Sequence, residues 1–370
     1  MKTLGEIKYE LINKGVSISE EARRALAWGD SHSDSGENEI TLILAENLSV
    51  APQHKPPAAD RLHLEHSNNK FLLASASNKF EVIVAPQPQF IKEHLNHRSP
   101  VSGNVSLDGF CLNIFLRAVG QKTRLNLKTE EIVDVIATAI KEEATDLLQI
   151  NMDFCKEPDR GFKRLIPVIT KVKKKFSAFI ALKGFPPDNL QILDQLYASG
   201  VDILNFPLNS RTESPTSKQL MPPEEILRAL EYASGIFPNG TVWTELVLGG
   251  DPKEINKTIN ELMSINTLPL IKLEPLSMSS EDSYSRLREV AQFLEDSASQ
   301  RKIPLKWLYP NSQCLTPMDA GFYIKGAAPQ LKVKPLYQSS FGKMAEEGFA
   351  AFRRKLRIKN VSDSFESAGL

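Results

Sequence analysis

The chain has little cysteine, no excess of either charge and no long apolar run, and each absence excludes a class of protein. Of its 370 residues only three are cysteine (Cys111, Cys155 and Cys314), and they lie far apart. This odd, scattered set fits neither a disulfide framework nor paired zinc ligands, so we expect buried or inert thiols. Basic and acidic residues number 45 each, which excludes the basic surface typical of nucleic-acid binders.

Signals for membranes and for several common enzyme classes are also absent. No stretch approaches the roughly 18 apolar residues that a membrane-spanning helix needs. The chain begins with a charged segment, so we expect no signal peptide and a cytoplasmic location, without a transmembrane segment. The motifs GxGxxG, GxxxxGK[ST], HExxH and GxSxG do not occur, so dinucleotide, P-loop, zinc-protease and hydrolase functions lack support.

One unit is present six times in the middle of the chain: a short apolar run followed by an amphipathic helical stretch. Strands that alternate with helices predict an α/β fold with a parallel sheet, and such sheets carry their chemistry at the C-terminal strand ends. A last edge strand is predicted at Leu305–Tyr309. The six runs are Val105–Leu116, Leu147–Phe154, Phe176–Leu182, Val201–Leu208, Thr241–Leu248 and Pro269–Leu276.

The regions before and after these units differ from them. Residues 1–98 contain a helix at Leu4–Lys14, a second helix capped by Ser19, a loop at Asn47–Asp60 and several short alternating runs, which together predict a small α+β domain. We place a barrel domain at residues 99–310. Residues 311–370 form a C-terminal extension whose basic helix, at Phe341–Ile358, we interpret as structural, with docking to a membrane surface or partner as the alternative.

All six histidines lie in the first region, but their spacing does not predict a metal site. His63 and His66 fall in a predicted strand, where residues three apart point to opposite faces. His94 and His97 have no nearby cysteine or aspartate to complete a ligand set. We therefore predict no metal ligands among them.

The later units resemble the core of the radical S-adenosylmethionine (radical SAM) superfamily over roughly residues 100–300. The resemblance rests on the glycine turn of 196–202, the strand that ends at Asn209-Ser210, and the sequence Gly249-Gly250-Asp251-Pro252-Lys253-Glu254 after the next strand. It implies a partial (β/α)6 barrel of the TIM-like type. It also implies that Asn209, Ser210, Gly249, Gly250 and Glu254 contact a cofactor, for which S-adenosylmethionine is the candidate.

The sequence departs from that family at its defining motif. CxxxCxxC, which holds three irons of a [4Fe–4S] cluster, should follow the first strand. The segment at 110–124 contains only Cys111, inside the apolar run, while Arg117, Lys122 and Arg124 occupy the loop. These three basic residues predict an anion site, and we do not expect a [4Fe–4S] cluster. A cluster with unusual ligands, Cys155 and Cys314 included, is kept as a remote alternative.

Three carboxylates are the candidate catalytic residues. Asp153, Glu245 and Glu274 would lie at or near the C-terminal ends of their strands, where a partly dry carboxylate can act as acid or base. Structural acceptors for loop hydrogen bonds are the alternative interpretation.

Two functions follow. The first is a radical-SAM-like barrel without an iron–sulfur cluster, which binds a small ligand or a protein partner and acts as the non-catalytic companion of an active radical SAM enzyme in a biosynthetic pathway. The second is an enzyme that uses the three carboxylates and the basic loop for non-radical chemistry. Fold-level resemblance does not decide between them.

Overall fold

The computed structural model describes residues 2–26, 40–45, 47–75, 79–85, 105–108, 111–116, 118–119, 124–125, 129–142, 145, 147–176, 178–208, 221–248, 251–274 and 280–324. Within these ranges the chain builds two sheets, one before and one after residue 100, and a two-stranded ribbon. The predicted helix at Phe341–Ile358 lies outside the described residues. No helix in the described part is long and apolar enough to cross a membrane.

The first sheet has six strands in the order β1-β4-β5-β6-β2-β3. Two helices accompany it, and Ser19 caps the second by accepting from the backbone N–H of Ala22 at 3.1 Å, as its sequence predicts. The expectation of an unbroken loop at Asn47–Asp60 is wrong, because β3 begins there at Leu48 and pairs with β2. The elements are α1 (Leu4–Lys14), β1 (Val16–Ile18), α2 (Glu20–Ala25), β2 (Leu42–Ala45), β3 (Leu48–Val50), β4 (Leu62–Ser67), β5 (Lys70–Ala74) and β6 (Lys79–Val84).

The second sheet contains the six predicted parallel strands, and they are neighbours in chain order. This confirms the α/β architecture with a parallel sheet. The strands are β7 (Val105–Asp108), β8 (Cys111–Leu116), β11 (Leu147–Met152), β12 (Phe179–Lys183), β13 (Ile203–Asn205), β14 (Val242–Val247), β15 (Leu268–Lys272) and β16 (Cys314–Leu315), and the separate ribbon pairs β9 (Ala118–Val119) with β10 (Arg124–Leu125).

Two finer predictions about the edges of this sheet are wrong. The run Val105–Leu116 is a pair of antiparallel strands, β7 and β8, in which Asp108 pairs with Cys111. Leu305–Tyr309 is not a strand; Leu305–Trp307 is a single 3-10 turn. Pro304 and Pro310 flank this segment, and a proline has no N–H to give to a strand ladder. The edge strand is β16, antiparallel to β15.

One layer of helices covers the outer face of this sheet. Consecutive parallel strands joined by right-handed crossovers place every connecting helix on the same side. Because of this, the side chains of alternate strand residues point away from the helices, toward the other face. The helices are α3 (Thr129–Lys141), α4 (Phe162–Lys175), α5 (Ile192–Ser199), α6 (Pro223–Ile236), α7 (Pro252–Ser264) and α8 (Ser280–Arg301).

The second sheet is curled so that its two edges meet. Ser312, two residues before β16, donates from its hydroxyl to Asp108 Oδ2 at 2.8 Å and from its backbone N–H to the same oxygen at 3.3 Å. Asp108 is the last residue of β7, at the opposite edge of the sheet. Burial raises the pKa of this carboxyl, and the hydrogen bonds from Ser312 oppose that rise. This contact brings the segment before β16 to the β7 edge, although the two edge strands do not pair with each other in the described structure.

A buried ion pair fixes the first helix to the end of the described chain. The Lys8 ammonium donates to Asp319 Oδ2 at 2.8 Å and to the backbone oxygens of Asn311 and Cys314 at 2.6 and 2.7 Å. The Lys8 and Asp319 side chains are 0% and 1% exposed. All three ammonium protons of Lys8 have an acceptor, so the pair is fully satisfied.

Candidate functional site

The face of the parallel sheet that points away from the helices carries a group of polar side chains, and we call it the inner face. Met152 lies on the helix side, because a Cβ built on Gly184 would contact both Met152 and Phe162 of α4. Strand side chains alternate between faces, so Gln149 and Asn151 of β11 point to the inner face. The strand register adds four more residues to this face: Asn113, Lys183, Asn205 and Glu245.

Aromatic side chains close the inner face at the N-terminal ends of the strands. Trp307 makes an edge contact with Phe179, the first residue of β12, at 5.9 Å between ring centroids. The rings of Tyr309 and Trp243 lie 6.1 Å apart. Tyr309 is buried and donates from its hydroxyl to Gln149 Oε1 at 3.2 Å. Among the described residues, these aromatic side chains cover the N-terminal ends of the strands.

Three carboxamides form a hydrogen-bonded row above Tyr309. Gln149 Nε2 donates to Asn113 Oδ1 at 3.0 Å and to Asn151 Oδ1 at 2.9 Å. Asn151 Nδ2 donates to Asn113 Oδ1 at 3.2 Å. The Tyr309 hydroxyl contacts Gln149, and Gln149 in turn contacts both asparagines, so the row is anchored at this end. The row is therefore preorganised by the closed end.

An ion pair stands beside this row, across the next three strands. Lys183 Nζ lies 2.6 Å from Glu245 Oε1 and 2.7 Å from Glu245 Oε2. Asn205, on the strand between them, donates from Nδ2 to Glu245 Oε1 at 3.1 Å. The Lys183 and Glu245 side chains are 30% and 13% exposed, so the pair is reachable from solvent.

One polar atom of this group has no partner in the described structure. Asn205 is 2% exposed, and its Oδ1 is buried without a hydrogen bond. A buried carbonyl oxygen without a donor costs about 1–3 kcal/mol. Other buried atoms of the described chain, such as Asp108 Oδ1 and the Tyr323 hydroxyl, also lack a partner, but Asn205 Oδ1 is the one beside the partly exposed Lys183–Glu245 pair. A bound molecule that donates to Oδ1 would remove this cost.

The three cysteines do not gather into a metal site. Cys111, Cys155 and Cys314 are all buried and free. Burial raises the pKa of the Cys111 and Cys314 thiols above the ordinary value. Across the described ranges no group of three or more histidine, cysteine, aspartate or glutamate residues could hold a metal ion.

The structure separates the three predicted catalytic carboxylates. Glu245 lies on the inner face with Lys183. Asp153 follows β11 and is exposed, while Glu274 follows β15 and pairs with its neighbour Lys272 at 3.2 Å. The two do not join the Glu245 group in any described contact.

The predicted cofactor and anion residues fall largely outside the described structure. Glu254 is exposed in the first turn of α7. Arg124 belongs to β10, but its side chain is outside the description. The residues that lie outside the described ranges are Arg117, Lys122, Asn209, Ser210, Gly249 and Gly250.

The residues that join Glu245 were not predicted, although the sequence carries a signal for them. Lys183 and Asn205 end short strands whose other positions are apolar, and Gln149 interrupts the buried run of β11. Strands of a covered parallel sheet are ordinarily continuous apolar runs. A polar residue inside such an apolar strand is therefore a sequence signal for a side chain on the inner face.

No protein-family model and no curated protein match this chain. Two solved structures are similar to it in part, both at low TM-scores. One is dihydropteroate synthase from Stenotrophomonas maltophilia with active site-bound imidazole, at TM-score 0.31 and 18% identity, covering 50% of this chain and 67% of that one. The other is dihydropteroate synthase from Xanthomonas albilineans in complex with 7,8-dihydropteroate, at TM-score 0.30 and 13% identity, covering 70% and 92%. At these TM-scores neither bears on the ligand of this chain.

Proposed function

We propose that this chain is a radical-SAM-like barrel without an iron–sulfur cluster, which binds a small polar organic ligand on its inner face. The observation that carries the proposal is the buried, unpartnered Asn205 Oδ1 beside the partly exposed Lys183–Glu245 pair. In the cell it would act through that ligand or as the non-catalytic companion of an active radical SAM enzyme.

The position of these residues supports a binding site rather than a purely structural network. Lys183, Asn205 and Glu245 lie toward the C-terminal ends of neighbouring parallel strands, which is where barrels of this kind bind ligands. The aromatic residues at the other end exclude water from beneath them. Hydrogen bonds in such a partly dry site are stronger than in water.

The surroundings of the cysteines support the absence of a cluster. Cys111 is buried at the closed end next to Tyr309, far from the strand end where a cluster would meet its substrate. We expect anaerobically reconstituted protein to lack the broad cluster absorption at about 400 nm. Stoichiometric [4Fe–4S] in such a sample would refute this part of the proposal.

Thermal melting with added ligand tests the binding function. S-adenosylmethionine is the first probe, because the resemblance to radical SAM proteins implies it, and a panel of cellular metabolites follows. A ligand present at 100 times its Kd stabilises the folded state by about 2.7 kcal/mol, which gives a measurable rise in Tm. We expect Asn205→Leu to abolish the rise and the exposed control Asn260→Leu to keep it. The absence of any Tm shift across the panel would contradict the proposal.

Acid–base catalysis is the second candidate function, and the location of Glu245 favours it. A carboxylate that is 13% exposed and hydrogen-bonded by an ammonium can exchange a proton with a bound molecule. Once a ligand is known, exchange of its carbon-bound hydrogens in D2O, followed by NMR, would reveal this activity. Exchange that Glu245→Gln does not slow would exclude this role for Glu245.

A further inference from the structure

We propose that the inner-face ligand is a neutral molecule with an amide edge, in which an N–H donor stands next to a carbonyl acceptor, as in a lactam or cyclic ureide. The N–H would donate to Asn205 Oδ1, and the carbonyl would accept from Lys183. This inference rests on the proposed binding function and adds the chemical class of the ligand.

The orientation of Asn205 determines the donor half of this edge. Its amide could be placed with either the oxygen or the nitrogen toward Glu245. Only the nitrogen can donate to the Glu245 carboxylate, and two facing oxygens would repel each other. The 3.1 Å contact therefore turns Nδ2 to Glu245 and leaves Oδ1 as a buried acceptor. The group that satisfies it must be a donor.

The contacts of Lys183 determine the acceptor half. An ammonium carries three protons, and the two short contacts to Glu245 use at most two of them. At least one N–H of Lys183 remains for another acceptor. Lys183 Nζ and Asn205 Nδ2 both lie within hydrogen-bond distance of Glu245 Oε1, at 2.6 and 3.1 Å. The Lys183 ammonium and the Asn205 amide therefore stand side by side at one carboxylate oxygen, and we propose that one ligand edge reaches both.

The charges of the site exclude the common charged ligands. Lys183 and Glu245 neutralise each other, so a charged ligand would gain little from either and would lose its hydration. A carboxylate or phosphate would place an oxygen against Asn205 Oδ1, leaving that atom unsatisfied. An ammonium would satisfy Oδ1 but would face the ammonium of Lys183. A neutral edge with one donor and one acceptor satisfies both atoms.

Three purines that differ at one edge provide the test in the full-length protein. Hypoxanthine presents N1–H beside a carbonyl, 1-methylhypoxanthine has this donor blocked, and 6-methoxypurine has only acceptors at the same edge. Ligand-observed NMR measures the Kd of each. We expect hypoxanthine to bind at least tenfold more tightly than the other two, and benzoate, a planar carboxylate, not to compete with it.

Two variants with matched controls connect the binding to the named atoms. Asn205→Leu and Lys183→Met should each weaken hypoxanthine binding at least tenfold. Asn260→Leu and Lys171→Met alter an asparagine and a lysine on exposed helix surfaces and should leave its Kd unchanged. If Asn205→Leu fails to fold, the discrimination among the three purines by the unmodified protein still tests the inference.

The possible results separate this inference from the proposed function. Equal or tighter binding of 6-methoxypurine or 1-methylhypoxanthine, or displacement of hypoxanthine by benzoate, would overturn the amide-edge inference. If a metabolite without an amide edge raises the Tm in an Asn205-dependent way, this inference fails while the binding function stands. If neither the purines nor the metabolite panel binds, both fail.

Discussion

Two lysine–carboxylate pairs of this chain have similar geometry but opposite surroundings. Lys8–Asp319 is completely buried, and every proton of its ammonium has an acceptor. Lys183–Glu245 is partly exposed, and its neighbour Asn205 keeps an unsatisfied oxygen. The comparison shows that two lysine–carboxylate pairs of one chain differ in how much of the surrounding hydrogen-bond capacity is used.

The largest expected loss of stability comes from breaking the Lys8–Asp319 pair. Lys8→Met leaves the Asp319 carboxylate and two backbone oxygens buried without their donor. We expect a loss of about 3–5 kcal/mol in the free energy of unfolding, measured by urea denaturation. Lys2→Met removes an exposed lysine just before the same helix and should cost about 1 kcal/mol or less. A cost for Lys8→Met as small as that of the control would mean that the pair is not a structural one.

Breaking the Lys183–Glu245 pair should cost less of the free energy of unfolding. Lys183→Met removes an ammonium that is 30% exposed, and Glu245 keeps both the hydrogen bond from Asn205 and some access to water. We expect a loss of about 1–2 kcal/mol in the same urea measurement. If Lys183→Met and Lys8→Met cost the same, the distinction between the two pairs would disappear.

A third substitution tests whether Tyr309, at the N-terminal ends of the strands, stabilises the polar residues of the inner face. Tyr309→Phe removes the hydroxyl that donates to Gln149 and keeps the ring against Trp243. The loss of one buried hydrogen bond should cost about 1 kcal/mol in urea denaturation. It should also weaken ligand binding, because the amide row loses the contact that anchors it. Unchanged stability and unchanged binding would show that this hydroxyl supports nothing.

The smallest expected effect on stability is a pH dependence that comes from the contact of the Arg23 cation with neutral His54. Burial lowers the pKa of His54, and the nearby cations Arg23 and Arg61 lower it further. Arg23 can only donate, so the His54 Nε2 that lies 3.0 Å from it must be unprotonated. The folded state therefore binds this proton less readily than the unfolded state, whose histidine titrates at about pH 6.5.

The direction of the pH effect follows. The stability that depends on neutral His54 is present above about pH 6.5 and is lost as the pH falls through the lowered pKa of the folded state. Thermal melts at pH 7.5 and pH 5.5 should show a smaller drop in Tm for His54→Gln than for the unmodified chain. His66→Gln, whose ring packs on Phe71, serves as the control. An equal drop in Tm for the unmodified chain and both variants would contradict the assignment of His54 as neutral.

The sequence was sufficient for the parallel sheet but not for the site. Each central strand is an apolar run followed by a helix with its own cap signals, and both are local features that can be read from residues near one another. The grouping of Lys183, Asn205 and Glu245 depends instead on strand register and on the curl of the sheet. Those depend on contacts between distant residues, such as Ser312 with Asp108, which have no local pattern.

The contact between Lys8 and Asp319 also has a consequence for the order in which the molecule can be completed. The two residues are 311 positions apart, and Asp108 and Ser312 are 204 positions apart. At a synthesis rate of about 5–20 residues per second, roughly 15–60 s separate the emergence of Lys8 from that of its partner. Until then the β7 edge of the sheet lacks its closing contact, and the first helix carries an uncompensated charge. Both long-range contacts can therefore form only when almost all of the described chain has been made.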